Sequence, residues 1–299
     1  MKIRDLLIGI AIMCLWGFNF RVIKLGVAGM DPLLLTASRF FFAVLPLVFF
    51  IKKPAVPWRY LIAYGLSFGV GVWGMVTWSI DVGISAGMAS LLLQLSVIFS
   101  LLIGWLYLKE SITAPKAIGA SLALAGLGVI ISQEIGQEGS TMSWLGLVFV
   151  LLGSLFWSIN GVILKAAKTQ SVFAFNLWSM LFAPVPLVAL AWITHGGQIF
   201  SGFFQQFNEF TWFSILFQAY PTTLLGYWVW NRLIVKYSLS SVAPLTLLVP
   251  IFGLLGGHLF YSEVITQAQI IAAVLIVTGL FIGQRQWGFS KNRLLDNQI

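Results

Sequence analysis

The sequence predicts an all-α integral membrane protein with ten transmembrane helices, arranged as two inverted repeats of five helices each. Three observations support this fold class: the composition, the spacing of the apolar segments, and a motif that occurs once in each half. Hydrophobic residues make up 59% of the 299 residues and charged residues only 9%, whereas a soluble domain carries about 25% charged residues. Many of the apolar side chains must therefore face lipid.

The apolar segments are long enough to cross a bilayer, which requires about 20 residues per helix. They are joined mostly by short loops, with one longer connection at 195–210. The predicted spans are 6–24, 33–51, 60–79, 85–107, 115–133, 143–164, 172–193, 211–231, 240–261 and 267–285. The first span resembles a signal peptide in its basic start, but it is long and lacks a small-residue cleavage pattern. We therefore expect it to be retained as a helix.

The first and sixth spans share a motif. The stretch LWGFNFRVIK at 15–24 returns as FWSINGVILK at 156–165, so that Trp157 and Asn160 lie 141 residues after Trp16 and Asn19. An Asn inside an apolar span is costly unless it has hydrogen-bond partners or faces a cavity. A spacing of three residues puts the Trp and the Asn on one helical face. Recurrence favours a cavity-lining role, and a hydrogen bond that only bridges two helices is the alternative.

A second set of matches relates the fourth and ninth spans. Ile98-Phe99 and Glu110 correspond to Ile251-Phe252 and Glu263, at an offset of 153 residues. The change of offset predicts about twelve additional residues in the connection before Phe210. Because each half has an odd number of spans, the second repeat (143–287) must enter the membrane in the opposite orientation to the first (1–134). Transporters with inverted repeats bind their substrates near the midplane, between the repeats.

Basic residues predict the orientation, because cytoplasmic loops are rich in Lys and Arg. With the amino terminus in the cytoplasm, all of the 17 basic residues except Arg21, Lys24 and Arg39 fall on that side. Both termini are then cytoplasmic. The net charge of +8 is explained by this distribution, so nucleic-acid binding is not indicated. Cys14 is the only cysteine, which excludes an intramolecular disulfide.

Several short motifs resemble those of the drug/metabolite transporter superfamily, EamA type. They are Trp16-Gly17-x-Asn19-Phe20, Arg39-Phe40, AGxASLL at 86–92, Glu110, VAPL at 242–245, LVP at 248–250 and GLF at 279–281. The resemblance covers essentially the whole chain and is greatest to bacterial exporters of O-acetylserine and cysteine. It implies ten helices, two EamA repeats, a location in the bacterial inner membrane and export of small metabolites. One departure is Val97, which corresponds to Pro250, where many relatives carry Pro in both halves.

The candidate substrate contacts are the polar and aromatic residues deep inside the spans. They are Asn19, Arg39, Trp73, Gln94, Trp157, Asn160 and Tyr227. Arg39 is suited to hold a substrate carboxylate by a bidentate pair, with snorkelling to the interface as the alternative. Gln94 offers both a donor and an acceptor near the middle of its span, with an interhelical hydrogen bond as the alternative.

Four further residues are assigned gating or structural roles: Trp16, Glu110, Pro250 and Glu263. Pro250 is expected to interrupt the ninth span and to act as a hinge or a static kink. Glu110 and Glu263 end their spans. Because no Asp or Glu falls at the centre of any predicted span, coupling to protons would have to use groups at helix ends, such as Asp81 or Glu263.

A cavity lined by Asn, Gln and aromatic residues suits a zwitterion of modest size. Together with the resemblance, this predicts an exporter of amino acids or derivatives such as cysteine and O-acetylserine, working by alternating access. Its expected partners are the metabolite, the bilayer and protons, without a cofactor or a metal. The alternative is a broad-specificity drug pump, which the 13 tryptophans leave open. An enzyme is not predicted, because phosphate-binding loops, metal-ligand clusters and catalytic triads are absent from the sequence.

Overall fold

The computed structural model describes residues 1–84, 86–107, 109, 111–135, 143–261 and 266–284, and all of the secondary structure in these residues is helical. Five helical stretches are long and apolar enough to cross a membrane: Ile3–Val27, Trp58–Asp81, Ala89–Leu106, Trp144–Ala167 and Val172–His195. Shorter apolar helices are Pro32–Val48, Ala114–Val129, Ala243–Gly253 and Ile270–Gly283. The prediction of an all-α protein with membrane-spanning helices is confirmed at this level.

The helices overlap each of the predicted spans. In the first half they are α1 (Ile3–Val27), α2 (Pro32–Val48), α3 (Trp58–Leu66), α4 (Met75–Asp81), α5 (Ala86–Leu93), α6 (Ser96–Leu106) and α7 (Ala114–Ile135). In the second half they are α8 (Trp144–Ala167), α9 (Val172–Met180), α10 (Pro184–His195), α11 (Glu209–Phe217), α12 (Tyr227–Lys236), α13 (Leu239–Val242), α14 (Leu248–Tyr261) and α15 (Gln267–Gln284).

Two wide turns interrupt the third and eighth spans at corresponding places. Ser67–Gly74 joins α3 to α4 as a π-helix, and Gln218–Gly226 joins α11 to α12 in the same form. In the second segment, Pro221 removes a backbone donor from the normal helical pattern. In the first, glycines allow close packing, since a Cβ at Gly71 would lie 2.5 Å from the ring of Phe156. Short π-helical segments occur frequently at functional sites.

The fourth and ninth spans are also interrupted at corresponding places. Gln94 and Leu95 form a turn between α5 and α6. In the ninth span, a 3₁₀ segment, Ala243–Leu247, gives way to α14 at Leu248. Pro250 lies in the first turn of α14, two residues after this change, where its missing N–H is tolerated; its role as a hinge or a static kink stays a prediction. The fourth span is interrupted without any proline at the corresponding position, Val97.

Close helix contacts hold the bundle together. Helix α1 packs on α14, α11 and α12, and a Cβ at Gly17 would lie 2.7 Å from the carbonyl oxygen of Val249 in α14. Helices α7 and α15 meet through Gly119 and Gly279, where a Cβ on either residue would lie within 2.4 Å of the other's carbonyl oxygen. Small residues let helix backbones approach closely in membranes, where dispersion and hydrogen bonds stabilise association.

The connection between α10 and α11 folds as two 3₁₀ turns, Gly197–Phe200 and Phe203–Gln206. At the same end of the bundle, His195 joins the ends of three helices, because its Nδ1 lies 2.7 Å from Asp31 and its Nε2 lies 3.6 Å from Asp81. The predicted gating residues Glu110 and Glu263 lie outside the described residues.

Candidate functional site

The two repeated tryptophans meet at the centre of the bundle. The rings of Trp16 and Trp157 are perpendicular, with their centroids 5.4 Å apart. Tyr227 and Trp230 complete this central aromatic cluster, with ring centroids 4.6 Å and 5.5 Å from that of Trp16. Trp16, Tyr227 and Trp230 are buried and Trp157 is half-buried. Trp230 is therefore an interior residue of the bundle rather than a lipid-facing one.

The π-helical segment Gln218–Gly226 holds Trp16 in place. The indole Nε1 of Trp16 donates to the backbone carbonyl of Thr222 at 3.2 Å. Gly226 leaves room for the indole, because a Cβ there would lie 2.6 Å from Nε1 of Trp16. The interruption of the eighth span thus provides both an acceptor and the space for the first of the two repeated tryptophans.

Asn19 and Asn160 have different environments despite their equivalent places in the repeat. Asn19 is buried, and its Oδ1 accepts a hydrogen bond from Oγ1 of Thr222 at 3.1 Å, while its Nδ2 has no partner. Asn160 is 5% exposed, and neither Nδ2 nor Oδ1 has a hydrogen-bond partner. Asn19 therefore bridges two helices, whereas both polar atoms of Asn160 are available to a ligand.

Two small compartments lie against the central aromatic cluster. The Gln94 compartment has a volume of about 20 Å³ and is lined by Trp16, Phe20, Trp73, Leu93, Gln94, Ser96, Trp157, Thr246 and Val249. The Asn160 compartment has a volume of about 10 Å³ and is lined by Tyr64, Phe68, Trp157, Asn160, Gly161, Tyr227, Trp230, Asn231 and Ile234. One water molecule needs about 10–15 Å³. Both compartments are therefore too small for a metabolite as they stand, and the rings must separate before one can enter.

Trp157 lines both compartments and lies between them. Gln94 lies in the turn between α5 and α6, and its Nε2 donates to the carbonyl oxygen of Ser90 at 3.2 Å. This bond holds the Gln94 carboxamide at the edge of its compartment. Neither Asn19 nor Arg39 is among the residues that line the two compartments.

Arg39 is a buried cation next to the cluster. It is 1% exposed, its Nε donates to Oγ1 of Thr223 at 2.6 Å, and its Nη1 lies 3.4 Å from Oε1 of Gln218. Its guanidinium carbon lies 4.2 Å from the centroid of the Trp73 ring, close enough for a cation–π interaction. The indole of Trp73 in turn donates to the hydroxyl of Tyr227 at 3.1 Å.

The Nη2 atom of Arg39 is buried without a hydrogen-bond partner. Within the described ranges, the ion pairs found join His195 to Asp31 and Asp81, and Lys236 to Asp5, so none of these carboxylates neutralises Arg39. A charged group inside a membrane span costs about 2.5–3.5 kcal/mol near the centre. A buried guanidinium with an unpaired Nη2, and with no carboxylate partner among the described residues, is therefore suited to an anionic ligand group.

Several polar residues of the site were not among the predicted contacts: Tyr64, Asn176, Gln218, Thr222, Thr223 and Asn231. Gln218 and Asn231 lie in the same predicted stretch as Tyr227, and a carboxamide inside an apolar span is the sequence feature that identifies them. In the part of the chain that the structure describes, His, Cys, Asp and Glu form no group of three that could hold a metal ion.

A larger cavity is lined by none of the predicted contacts. It has a volume of about 620 Å³ and opens between α2, α10, α11 and the 3₁₀ turns at 197–206. Its walls are apolar apart from Ser38 and include Phe41, Phe42, Phe204 and Trp212. The additional residues of the second half thus form part of this cavity.

Comparison with known proteins relates both halves of the chain to one family. The EamA-like transporter family matches residues 4–132 and again residues 144–283. The chain is 31% identical over 286 residues to the probable amino-acid metabolite efflux pump of Escherichia coli (strain K12), covering 94% of this chain and 95% of that protein. The protein of the same name from Salmonella typhimurium (strain LT2) has the same identity and coverage.

More distant relatives also align over nearly the whole chain. An uncharacterized transporter of Bacillus subtilis (strain 168) is 27% identical and covers 91% of this chain and 94% of its own length. Among solved structures, a crystal structure superposes with a TM-score of 0.74 over 94% of this chain and 96% of the other, at 17% sequence identity. At that identity the likeness concerns the fold alone.

Proposed function

This chain belongs to the EamA-like transporter family, and from that premise we propose that it exports small amino acids or their derivatives. The names of the two enterobacterial relatives, probable amino-acid metabolite efflux pumps, support this substrate class. Cysteine and O-acetylserine are the compounds we propose first, because of the resemblance described for the motifs.

The observation that carries the proposal is the unpaired Nη2 of buried Arg39. A substrate carboxylate would neutralise this guanidinium and complete its hydrogen bonds. The ammonium group of the same substrate would lie against the aromatic rings, which attract cations through their faces. A zwitterion thereby brings both charges into the site while remaining neutral overall, which lowers the cost of entering a membrane-embedded cavity.

We further propose alternating access between two repeats, 1–134 and 143–287, inverted in a bacterial inner membrane with both termini in the cytoplasm. The matching interruptions of the third and eighth spans, and of the fourth and ninth, support two equivalent units. In this mechanism the central aromatic cluster separates the two compartments, and Trp157, which lines both, moves when either one opens.

Proton coupling, if the export is driven in that way, would involve the group formed by His195, Asp31 and Asp81. These residues join the ends of α10, α2 and α4. None of the residues lining either compartment is a carboxylate. Breaking or forming these contacts would therefore act on the closure of this end of the bundle rather than on substrate contacts.

A second candidate function is a drug pump of broad specificity. The observation that favours it is the apolar cavity of about 620 Å³, whose size lies within the usual range for drug-sized ligands. Phe204, which is 87% exposed, and Trp212 provide aromatic surface at its opening.

Flux in proteoliposomes tests the two candidates against each other. Labelled serine, cysteine and O-acetylserine would be compared with cysteamine and ethanolamine, which lack the carboxylate, and with ethidium. We expect saturable flux of the amino acids, competition among them and no competition by the two amines. Flux of ethidium without flux of any amino acid would contradict the proposal and favour the drug pump. Repeating the assay with and without a pH gradient tests coupling to protons.

A further inference from the structure

A polar network borders the Asn160 compartment, and the proposed binding of a carboxylate at Arg39 does not use it. Asn231 donates from Nδ2 to the hydroxyl of Tyr64 and to Oδ1 of Asn176, each at 2.6 Å. Because an amide nitrogen carries two hydrogens, both donors of Asn231 are used. The network joins α12, α3 and α9, and it fixes Tyr64 and Asn231 as one polar wall of the compartment.

Asn160 lines the same compartment from α8 and is different in being unbonded. Its donor and its acceptor are both buried and without partners. Leaving a buried polar group unpaired is costly, so a ligand that pairs with it is favoured. The equivalent residue in the first repeat, Asn19, bonds to Thr222 instead. The second repeat therefore retains, at this position, one carboxamide whose hydrogen bonds are open to a ligand.

The other lining residues restrict the chemistry of that ligand. They are aromatic or aliphatic apart from the Tyr64 and Tyr227 hydroxyls and the Asn231 amide, and none carries a charge. A charged side chain would enter without a counter-ion, which is strongly unfavourable. An apolar side chain would leave Asn160 unpaired. A neutral group that both donates and accepts, such as a hydroxyl or a carboxamide, can bond to both Nδ2 and Oδ1 of Asn160.

We propose that the Asn160 compartment is the side-chain subsite of the transporter and selects amino acids with short, neutral, hydrogen-bonding side chains. This inference rests on the proposed function, in which Arg39 holds the main-chain carboxylate. Tyr227 connects the two places, because its hydroxyl accepts from Trp73 beside Arg39 and its ring lines the Asn160 compartment. Asn160 is the specificity-determining residue, and Asn231 and Tyr64 complete the wall.

Pairs of isosteric amino acids test the proposal in proteoliposomes that carry out uptake of labelled serine. Threonine is compared with valine, and asparagine with leucine, as unlabelled competitors. In the wild type we expect the polar member of each pair to inhibit at a concentration lower by about tenfold or more, since sites built for hydrogen bonding reject isosteres that lack the group. In Asn160→Leu we expect this ratio to fall to about twofold or less.

Ser154→Ala is the matched control. Ser154 is buried in the same helix, bonds within that helix to the carbonyl of Leu151, and lines neither compartment. It should leave the ratios unchanged.

Three results would overturn the subsite. One is a wild-type ratio near one, which needs no variant and so holds even if Asn160→Leu does not fold. Another is an Asn160→Leu protein in which both members of a pair become equally weaker inhibitors of serine uptake, as expected if Asn160 only binds an ordered water. The third is the absence of competition by any amino acid, which would also end the proposed function. If serine competes and serinamide does not while the pairs are not distinguished, the subsite alone is wrong.

Discussion

Replacing Arg39 by methionine should weaken substrate recognition far more than it weakens the fold. Methionine removes the charge from the membrane interior, which relieves about 2.5–3.5 kcal/mol. It also removes the bonds to Thr223 and Gln218, worth on average about 0.6 kcal/mol each in a membrane protein, and the contact with Trp73, worth about 2 kcal/mol when desolvated. These terms nearly cancel, so we expect the apparent Tm to change by no more than about 4 °C.

Recognition has no such compensation. A hydrogen bond to a charged group contributes about 1.5–3 kcal/mol, so losing the bond between Nη2 and a substrate carboxylate should weaken binding roughly tenfold to 150-fold. The assay is inhibition of serine uptake by unlabelled serine and by serinamide, which differ only in the carboxylate. The ratio of their inhibition constants, which we expect to be about ten or more in the wild type, should approach one in Arg39→Met.

Two further variants complete this experiment. Arg39→Lys keeps the charge but not the fork of donors, so it should retain part of the discrimination. Arg59→Met is the control, because Arg59 is exposed and its substitution should change neither Tm nor the ratio. The reasoning is refuted if Arg39→Met still prefers serine to serinamide by the wild-type factor. It is equally refuted if serine and serinamide lose affinity together.

Two other substitutions follow from the packing of the site. Gly226→Ala would place a Cβ 2.6 Å from Nε1 of Trp16 and displace the bond from this indole to Thr222, so we expect loss of serine flux. The control is Gly128→Ala, which has nothing within 4 Å of its Cβ; it should keep flux and stabilise α7 by up to about 1 kcal/mol. Equal flux in the two variants would contradict the role of the indole. Ser158→Ala removes the hydrogen bonds with Ser100 and with the carbonyl of Ser96, which join α8 to α6. We expect this loss to lower the stability of the protein by about 1 kcal/mol, measured as a lower apparent Tm. Ser154→Ala in the same helix is the control and should leave the apparent Tm nearly unchanged.

The positions of the helices follow from the sequence alone because they depend on local composition. Runs of apolar residues must become helices in lipid, where every backbone group needs an internal partner. The family resemblance, carried by short motifs, is confirmed by the match of the EamA-like family to both halves. The interruptions of the helices did not follow in the same way. The turn at Gln94 occurs without a proline, and the π-helix at Ser67–Gly74 packs Gly71 against Phe156, a residue distant in the sequence.

The sequence alone also singled out Trp16 and Trp157 as a repeated pair, and the structure brings their rings into contact. What it did not determine is which of their polar neighbours would be bonded and which left open. That depends on partners far along the chain: the bonds of Trp16, Asn19 and Arg39 reach residues 206, 203 and 184 positions away. Equivalent residues of a repeat have the same local sequence but different neighbours in the folded bundle. Asn19 is therefore bonded and Asn160 is not, and only the tertiary structure distinguishes them.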